Sequence, residues 1–210
     1  MPDPSRLPVF VLAALALLLV PGPSVLYIVT RSVSQGRTAG LVSALGIQCG
    51  GLVHVAAAAL GLSAILVSSA LAFNVVRFAG AAYLVFLGVR QWLERGDGKA
   101  LEVRAEPLRR VFAQGLMVNA LNPKTALFFF AFLPQFVDPA RGAVTGQFLF
   151  LGLLFIALAM CTDSAYALLS SGFSGALRAR GGLGRRSRLV TGGVYVGLGV
   201  TAALTGSSHA

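Results

Sequence analysis

Charge is what this sequence has least of. Only 11% of its 210 residues are Asp, Glu, Lys or Arg, where soluble domains carry about a quarter. Hydrophobic residues make up 56%, and the mean hydropathy is +0.81. This excludes a soluble domain of that length and reads as one polytopic membrane domain over residues 1–210. Acids are scarcer still, seven against seventeen Lys and Arg, for a formal net charge of +10. In a soluble protein that excess would point to nucleic acid. Here the basic residues fall in loops between apolar runs, where they set orientation and meet anionic lipid, so membrane lipid is the expected partner and nucleic acid is not. Cysteine is nearly missing. Cys49 and Cys161 each lie inside an apolar run and read as small packing residues, not as a disulfide or metal pair. No GxSxG turn or HExxH spacing occurs, which removes the nucleophile and zinc signatures of an intramembrane enzyme. No cofactor is implied.

What is present is a series of apolar runs. Leu7 to Thr30 is long enough to span a membrane, which takes about 20 residues. A signal-peptide core ending near Pro21 is the alternative for its first half, but apolar character resumes at Val25. A basic loop, Arg31 to Arg37, leads to helix two near Ala39–Ser63, which carries Gly46-xxx-Gly50, Gln48 and His54. Helix three lies near Ala70–Leu93, and a hydrophilic loop covers 94–110. Helix four runs near Val111–Leu133 with Pro134 ending it, helix five near Thr145–Ser171, and helix six near Leu189–Gly206. The fold class is an all-α membrane protein of six transmembrane helices. The glycine-rich helices two and six either pack within one protomer or form the seam of a homodimer.

Two of these runs contain breakers. Pro123 blocks the carbonyl of Asn119, and Pro21 and Pro23 free those of Leu17 and Leu19. Helices one and four are therefore expected to be broken at Pro21-Gly22-Pro23 and at Asn122-Pro123. In hydrocarbon such carbonyls persist only against protein or a water-filled cavity. Lys124 beside the second break adds a cost of roughly 3 kcal/mol at mid-membrane. A break and a charge in one place suggest a site.

Loop charges orient the spans. Loops one, three and five hold twelve basic residues, the opposite side only Arg6, Arg77 and Arg141, which puts both termini outside. Three helices per half, each half opening with a broken helix, make an inverted repeat: residues 7–93 and 111–206, joined by a cytoplasmic loop at 94–110. Each half also places an ionisable residue deep in its second helix, His54 and Asp163.

A series of short motifs runs almost end to end: Pro21-Gly22-Pro23, Gly80-Ala-Ala-Tyr83-Leu84 with Leu87-Gly88, and Gln114-Gly115 with Asn119 and Asn122-Pro123-Lys124. It continues through Leu133-Pro134-Gln135-Phe136 to Gly192-Gly193 and Gly197-Leu198-Gly199. In these the chain resembles the LysE/RhtB superfamily of bacterial amino-acid exporters. The order and spacing of these motifs are specific where each alone is weak. The resemblance implies export of amino acids or derivatives across the bacterial inner membrane, driven by proton motive force. It does not name the cargo.

The residues lead to the same class. A zwitterion needs a cation or N–H groups for its carboxylate and carbonyls or an acid for its ammonium, and broken helices supply the backbone parts of both. The carbonyls of Leu17, Leu19 and Asn119 are candidates for the ammonium, Lys124 for the carboxylate, and Asn119 and Asn122 for orienting amides. Alternatively, Lys124 snorkels outward or bonds a carbonyl to hold the break together. Asp163, the one acid well inside a span, is the candidate proton carrier, and His54 a second. The structural alternatives are a hydrogen-bonded Asp163 and a merely buried His54. At 1.5 Å per residue, Lys124 lies about 20 Å from the inner face and Asp163 about 27 Å from the outer face. In a core about 30 Å thick the two then differ in depth by more than about 10 Å. No direct ion pair is expected, with His54 toward the outer vestibule and Asp163 toward the inner. A related carrier or channel of two-by-three design for another small solute stays open as the alternative.

Overall fold

The computed structural model describes residues 2–62 and 105–172, with six isolated helical positions between them (75, 78, 82, 85, 86 and 89). Most of expected helix three, most of the 94–110 loop and all of helix six lie outside the described residues. Every regular element among those described is helical.

Helix α1 (Leu7–Leu19) and helix α2 (Pro23–Gln35) are separated by a break and bent 53° from each other. The residue before a proline is pushed out of the helical region, and this happens twice in three residues. Val20 precedes Pro21 and Gly22 precedes Pro23, and both are extended. Pro23 restarts the helix in the first turn, where its missing N–H costs nothing. The same chemistry recurs between α4 (Leu108–Ala120) and α5 (Pro123–Leu127), where the axis turns by 44°. Asn122, before Pro123, is extended, and its side chain caps the backbone N–H of Lys124 at 3.0 Å. After α5 the chain widens into a π turn (Phe128–Phe132) and tightens into a 3-10 turn (Leu133–Phe136). Pro134 therefore sits inside the closing turn and does not end the helix before it.

Helix α3 (Arg37–Ala57) runs on through a π turn, Ala58–Leu62. Arg37–Gly61 and α6 (Val144–Gly172) are each long and apolar enough to cross a membrane unbroken. The 29 residues of α6 reach about 43 Å at 1.5 Å each. The expected basic loop between the first two spans is wrong. Helix α2 continues five residues past Thr30, Gly36 (φ +85) is the whole connection, and α3 begins at Arg37. A positive φ suits glycine because it has no Cβ to clash. Arg31 thus becomes a helical residue with its side chain buried.

Helix α3 sits at the centre, against α2, α4 and α6. Its contact with α4 is backbone to backbone. A Cβ on Gly46 would lie 2.2 Å from the Phe112 carbonyl oxygen, and one on Gly50 2.3 Å from that of Leu116. Gly115 of α4 returns the approach, a Cβ there meeting the Ser43 oxygen at 2.8 Å. This is close helix packing through small residues, as membrane interiors use in place of a hydrophobic driving force.

Elsewhere the partition is that of a lipid-embedded chain. Arg31, Gln48, His54, Asn119, Lys124, Gln147 and Asp163 are buried, whereas Val9, Leu12, Leu149, Phe150, Leu153 and Leu169 are exposed. Cys161 is exposed rather than packed and Cys49 is half-buried; both are free thiols. At one end of the bundle Arg141 pairs with Asp3 at 3.6 Å and Arg6 reaches the Gln135 carbonyl at 3.4 Å. Ser5 donates to the Asp3 carboxyl from its hydroxyl and its backbone N–H and so holds that group below its ordinary pKa. At the other end Arg31 and Arg110 each pair with Glu106 at 3.3 Å.

Candidate functional site

The two breaks face one cavity. Its polar wall is built from Ser24 at the start of α2, Gln48 on α3, Asn119 at the end of α4, and Asn122, Lys124 and Thr125 around the second break. Asp163 of α6 completes it. The rest of its lining is apolar: Leu17, Leu18, Val25, Ile47, Phe155 and Ala159.

Asn119 ties these elements together. Its side-chain oxygen accepts from Thr125 Oγ1 at 2.8 Å and Ser24 Oγ at 3.2 Å, and its amide donates to the Ile47 carbonyl at 2.8 Å. Its own carbonyl, freed by Pro123, is taken by His54 Nε2 at 2.8 Å. Because a carbonyl only accepts, that ring nitrogen carries the proton. Asn122 donates to Ser24 Oγ at 2.9 Å, linking one break directly to the other. Asn119→Ala removes the acceptor that Ser24 and Thr125 share and leaves the Ile47 carbonyl without this donor. The expected result is a loss of about 2–4 kcal/mol of stability, read as a lowered unfolding temperature in detergent.

Both charges of the cavity are buried. Lys124 Nζ donates to the Val20 carbonyl across the first break at 2.6 Å, and Gln48 Nε2 donates to Asp163 Oδ2 at 2.7 Å. The depth arithmetic is corrected here, since Lys124 and Asp163 line one cavity rather than lying at separate levels. That arithmetic assumed unbroken helices rising 1.5 Å per residue. The chain around Lys124 instead contains a break, a 44° bend and a π turn. The three carbonyls expected to take an ammonium have protein partners. Leu17 receives the Val20 N–H at 3.2 Å, Leu19 receives Tyr166 Oη at 2.8 Å, and Asn119 receives His54. The carbonyl that meets Lys124 is that of Val20.

The remaining expected residues divide by location. Gly22 lines the cavity. Pro21 is half-buried, while Pro23 and Pro123 are exposed, so the prolines shape the backbone without forming the cavity wall. His54 lies behind Asn119, its ring 6.1 Å from that of Phe129 in a stacked arrangement, and is not part of the lining; the outer-vestibule placement gives way to this packed position. Three polar lining residues went unassigned in the sequence: Ser24, Gln48 and Thr125. Gln48 carried a signal, a polar amide in an otherwise apolar helix. Ser24 and Thr125 carried none beyond adjacency to a break.

The cavity thus sets one buried cation and one buried acid beside apolar side chains, where two helices break. The family model described as LysE type translocator matches residues 15–206. The chain belongs to that family. The translocator is 33% identical over 163 residues to the homoserine/homoserine lactone efflux protein of Salmonella typhimurium, covering 77% of this chain and 78% of the relative. It is 28% identical over 191 residues to the leucine efflux protein of Klebsiella pneumoniae, covering 90% of each chain. A membrane protein of Vibrio cholerae is 29% identical over 192 residues, 91% of this chain and 93% of the relative. No solved structure matches the chain. The translocator is a bacterial-type membrane transport protein and not an enzyme.

Proposed function

We propose that this translocator exports amino acids with uncharged side chains across the bacterial inner membrane by alternating access, in exchange for protons. The observation that carries the reading is the pairing of Lys124 and Asp163 on one cavity beside an apolar wall. Lys124 releases the Val20 carbonyl to take the cargo carboxylate, a stronger, charge-assisted partner. Asp163 takes the cargo ammonium, and the side chain lies along Leu18, Val25 and Phe155. One carboxylate cannot hold a proton and an ammonium at once. Protonation of Asp163 from the outer side therefore expels cargo, and cargo arriving from the inner side expels the proton. That competition gives obligatory exchange when the carrier changes access only with proton or cargo on Asp163.

The cargo class follows from the count of acids. Six of the seven, Asp3, Glu94, Asp97, Glu102, Glu106 and Asp138, lie outside the apolar runs. A lysine or arginine would bring a second cation to a membrane interior that holds one acid, at a desolvation cost of several kcal/mol. Homoserine and leucine, the cargo in the relatives' names, present none. Asn119 and Asn122 orient the cargo, Gly22 and the prolines 21, 23 and 123 shape its berth, and His54 braces the Asn119 carbonyl. Each bent helix pair is one span in this reading. The two breaks meeting at one cavity support an inverted repeat of residues 7–93 and 111–206 in a single domain, and the basic residues of the loops support both termini outside.

Reconstituted protein should show counterflow of labelled leucine or homoserine that survives collapse of the pH gradient, together with uphill movement that does not. Lysine should exchange at less than a tenth of the leucine rate. Asp163→Asn should abolish gradient-driven movement and leave any residual counterflow indifferent to pH gradient. Wild-type protein without counterflow of any amino acid would remove the exporter reading; gradient-driven movement in Asp163→Asn would remove the coupling role alone.

A further inference from the structure

From the cavity floor outward, α2 and α4 are joined by a ladder of polar contacts, of which only the first borders the cargo cavity. The first rung is Ser24 to Asn119, at the cavity floor. One turn on, Tyr27 Oη donates to the Val111 carbonyl at 2.9 Å and lies 3.1 Å from Gln114 Oε1. The next turn brings Arg31, whose guanidinium meets Gln114 Oε1 at 2.7 Å, Gln35 Oε1 at 2.8 Å and Glu106 at 3.3 Å, and sits 5.5 Å over the Tyr27 ring. Gln35 closes the series on the Glu106 carbonyl at 2.8 Å, and Gln114 donates to Glu106 Oε2 at 3.0 Å. The residues of α2 that take part, 24, 27, 31 and 35, recur at helical spacing along one face. The cavity lining stops at the first rung, as Tyr27, Arg31 and Gln114 do not contribute to it.

The side of the cavity toward the α5 end is closed differently. Phe128, Phe129 and Phe155 pack there with ring centroids 4.5–6.1 Å apart, and Phe10, Phe132 and Phe136 extend the cluster. Parting packed rings exposes apolar surface to water, at a cost that grows with area. Parting the ladder exposes amides, a hydroxyl, a guanidinium and a carboxylate, each of which water can satisfy in turn. A polar seam is thus the closure that a hydrated passage can open reversibly.

From this geometry we infer that Arg31 and Glu106 are gating residues: their ion pair, seated on Gln114 and Tyr27, closes the cargo cavity toward the end marked by Gly36 and Glu106. The gate opens when α2 swings from α4 about the break at Val20–Gly22, the pivot that α1 does not share. Cargo drawing Lys124 off the Val20 carbonyl loosens that pivot, which couples loading to the seam. The inference rests on the cavity being the cargo site.

The test places a reporter at the cavity floor, Ser24→Cys, in a background carrying Cys49→Ala and Cys161→Ala, and adds a membrane-impermeant maleimide from each face of oriented vesicles. Glu106→Gln and Arg31→Gln should each raise labelling from the Glu106 face at least tenfold without raising it from the opposite face. The exchanged pair Arg31→Glu with Glu106→Arg should return the rate toward that of the parent. Labelling unchanged in both single variants, or raised equally from both faces, overturns the gate. A second measurement does not depend on weakening the fold. With Arg31→Cys and Gln114→Cys joined by a short cleavable bis-thiol linker, leucine counterflow should stop and resume on cleavage; undiminished counterflow while linked also overturns it. Absent counterflow in the wild-type protein would instead sink the exporter reading.

Discussion

Lys124→Ala should weaken the apparent affinity for exported amino acid by about 30-fold to a few thousand-fold. The range follows from removing one partner of a buried, hydrogen-bonded charge pair, about 2–5 kcal/mol, at 1.4 kcal/mol per tenfold. Two roles for Lys124 make different predictions. As the carboxylate ligand it contributes mainly to the concentration at which counterflow half-saturates. As a pin on the Val20 carbonyl, which it reaches at 2.6 Å, it contributes to how much protein folds. The measurement that separates them is counterflow against leucine concentration, normalised to the folded fraction in detergent. A half-saturation shift of thirtyfold or more in the folded protein supports the ligand role. A half-saturation unchanged from wild type, with only the folded fraction reduced, would leave Lys124 as a clasp between the breaks. Lys124→Met, which keeps the length of the stem but has no donor for the cargo carboxylate, should lose affinity as Lys124→Ala does.

Gly50→Val should cost about 3 kcal/mol or more, the upper end of the penalty for overfilling a packed core. The Cβ atom alone would lie 2.3 Å from the Leu116 carbonyl oxygen and 3.0 Å from the Ala120 nitrogen. Those are backbone atoms of a helix, unable to rotate away as a side chain could, so α3 and α4 must separate. Separation also pulls Asn119 from the Ile47 carbonyl, now at 2.8 Å, and with it the knot between the two breaks. At 2–4 °C per kcal/mol for a chain of this size, the midpoint of thermal unfolding in detergent should fall by roughly 10 °C. Gly61→Ala, where an added Cβ meets nothing within 4 Å, is the matched control and should leave the midpoint unchanged or slightly raised. Equal midpoints for Gly50→Val and wild type would show that the α3–α4 approach is not what holds the bundle.

The loss at Asn119→Ala belongs with these two, since all three act on one junction. Asn119 bonds to α2, α3 and α5 from a single side chain and a single carbonyl. Its stability effect should therefore be less than additive with that of Gly50→Val in the double variant, because neighbours sharing a contact couple.

The sequence by itself determined the membrane character, the two breaks and the residues at the second of them. Scarce charge and long apolar runs leave no soluble alternative, and proline within an apolar run removes a helical N–H and biases the preceding residue away from the helical region through local sterics. Only the tertiary structure decided who meets whom. Val20 and not Leu17, Leu19 or Asn119 receives Lys124, Gln48 bonds to Asp163, His54 serves Asn119, and Arg31 leaves its expected loop for a buried seam with Glu106. Depth counted along straight helices placed Lys124 and Asp163 apart, and two bends of 53° and 44° bring them to one cavity. The reason is general to broken helices. Where a helix is unbroken, residue number fixes position along its axis to within a turn. At a break, the angle and the choice of partner for each freed group depend on what the neighbouring helices present, and that is absent from the local sequence.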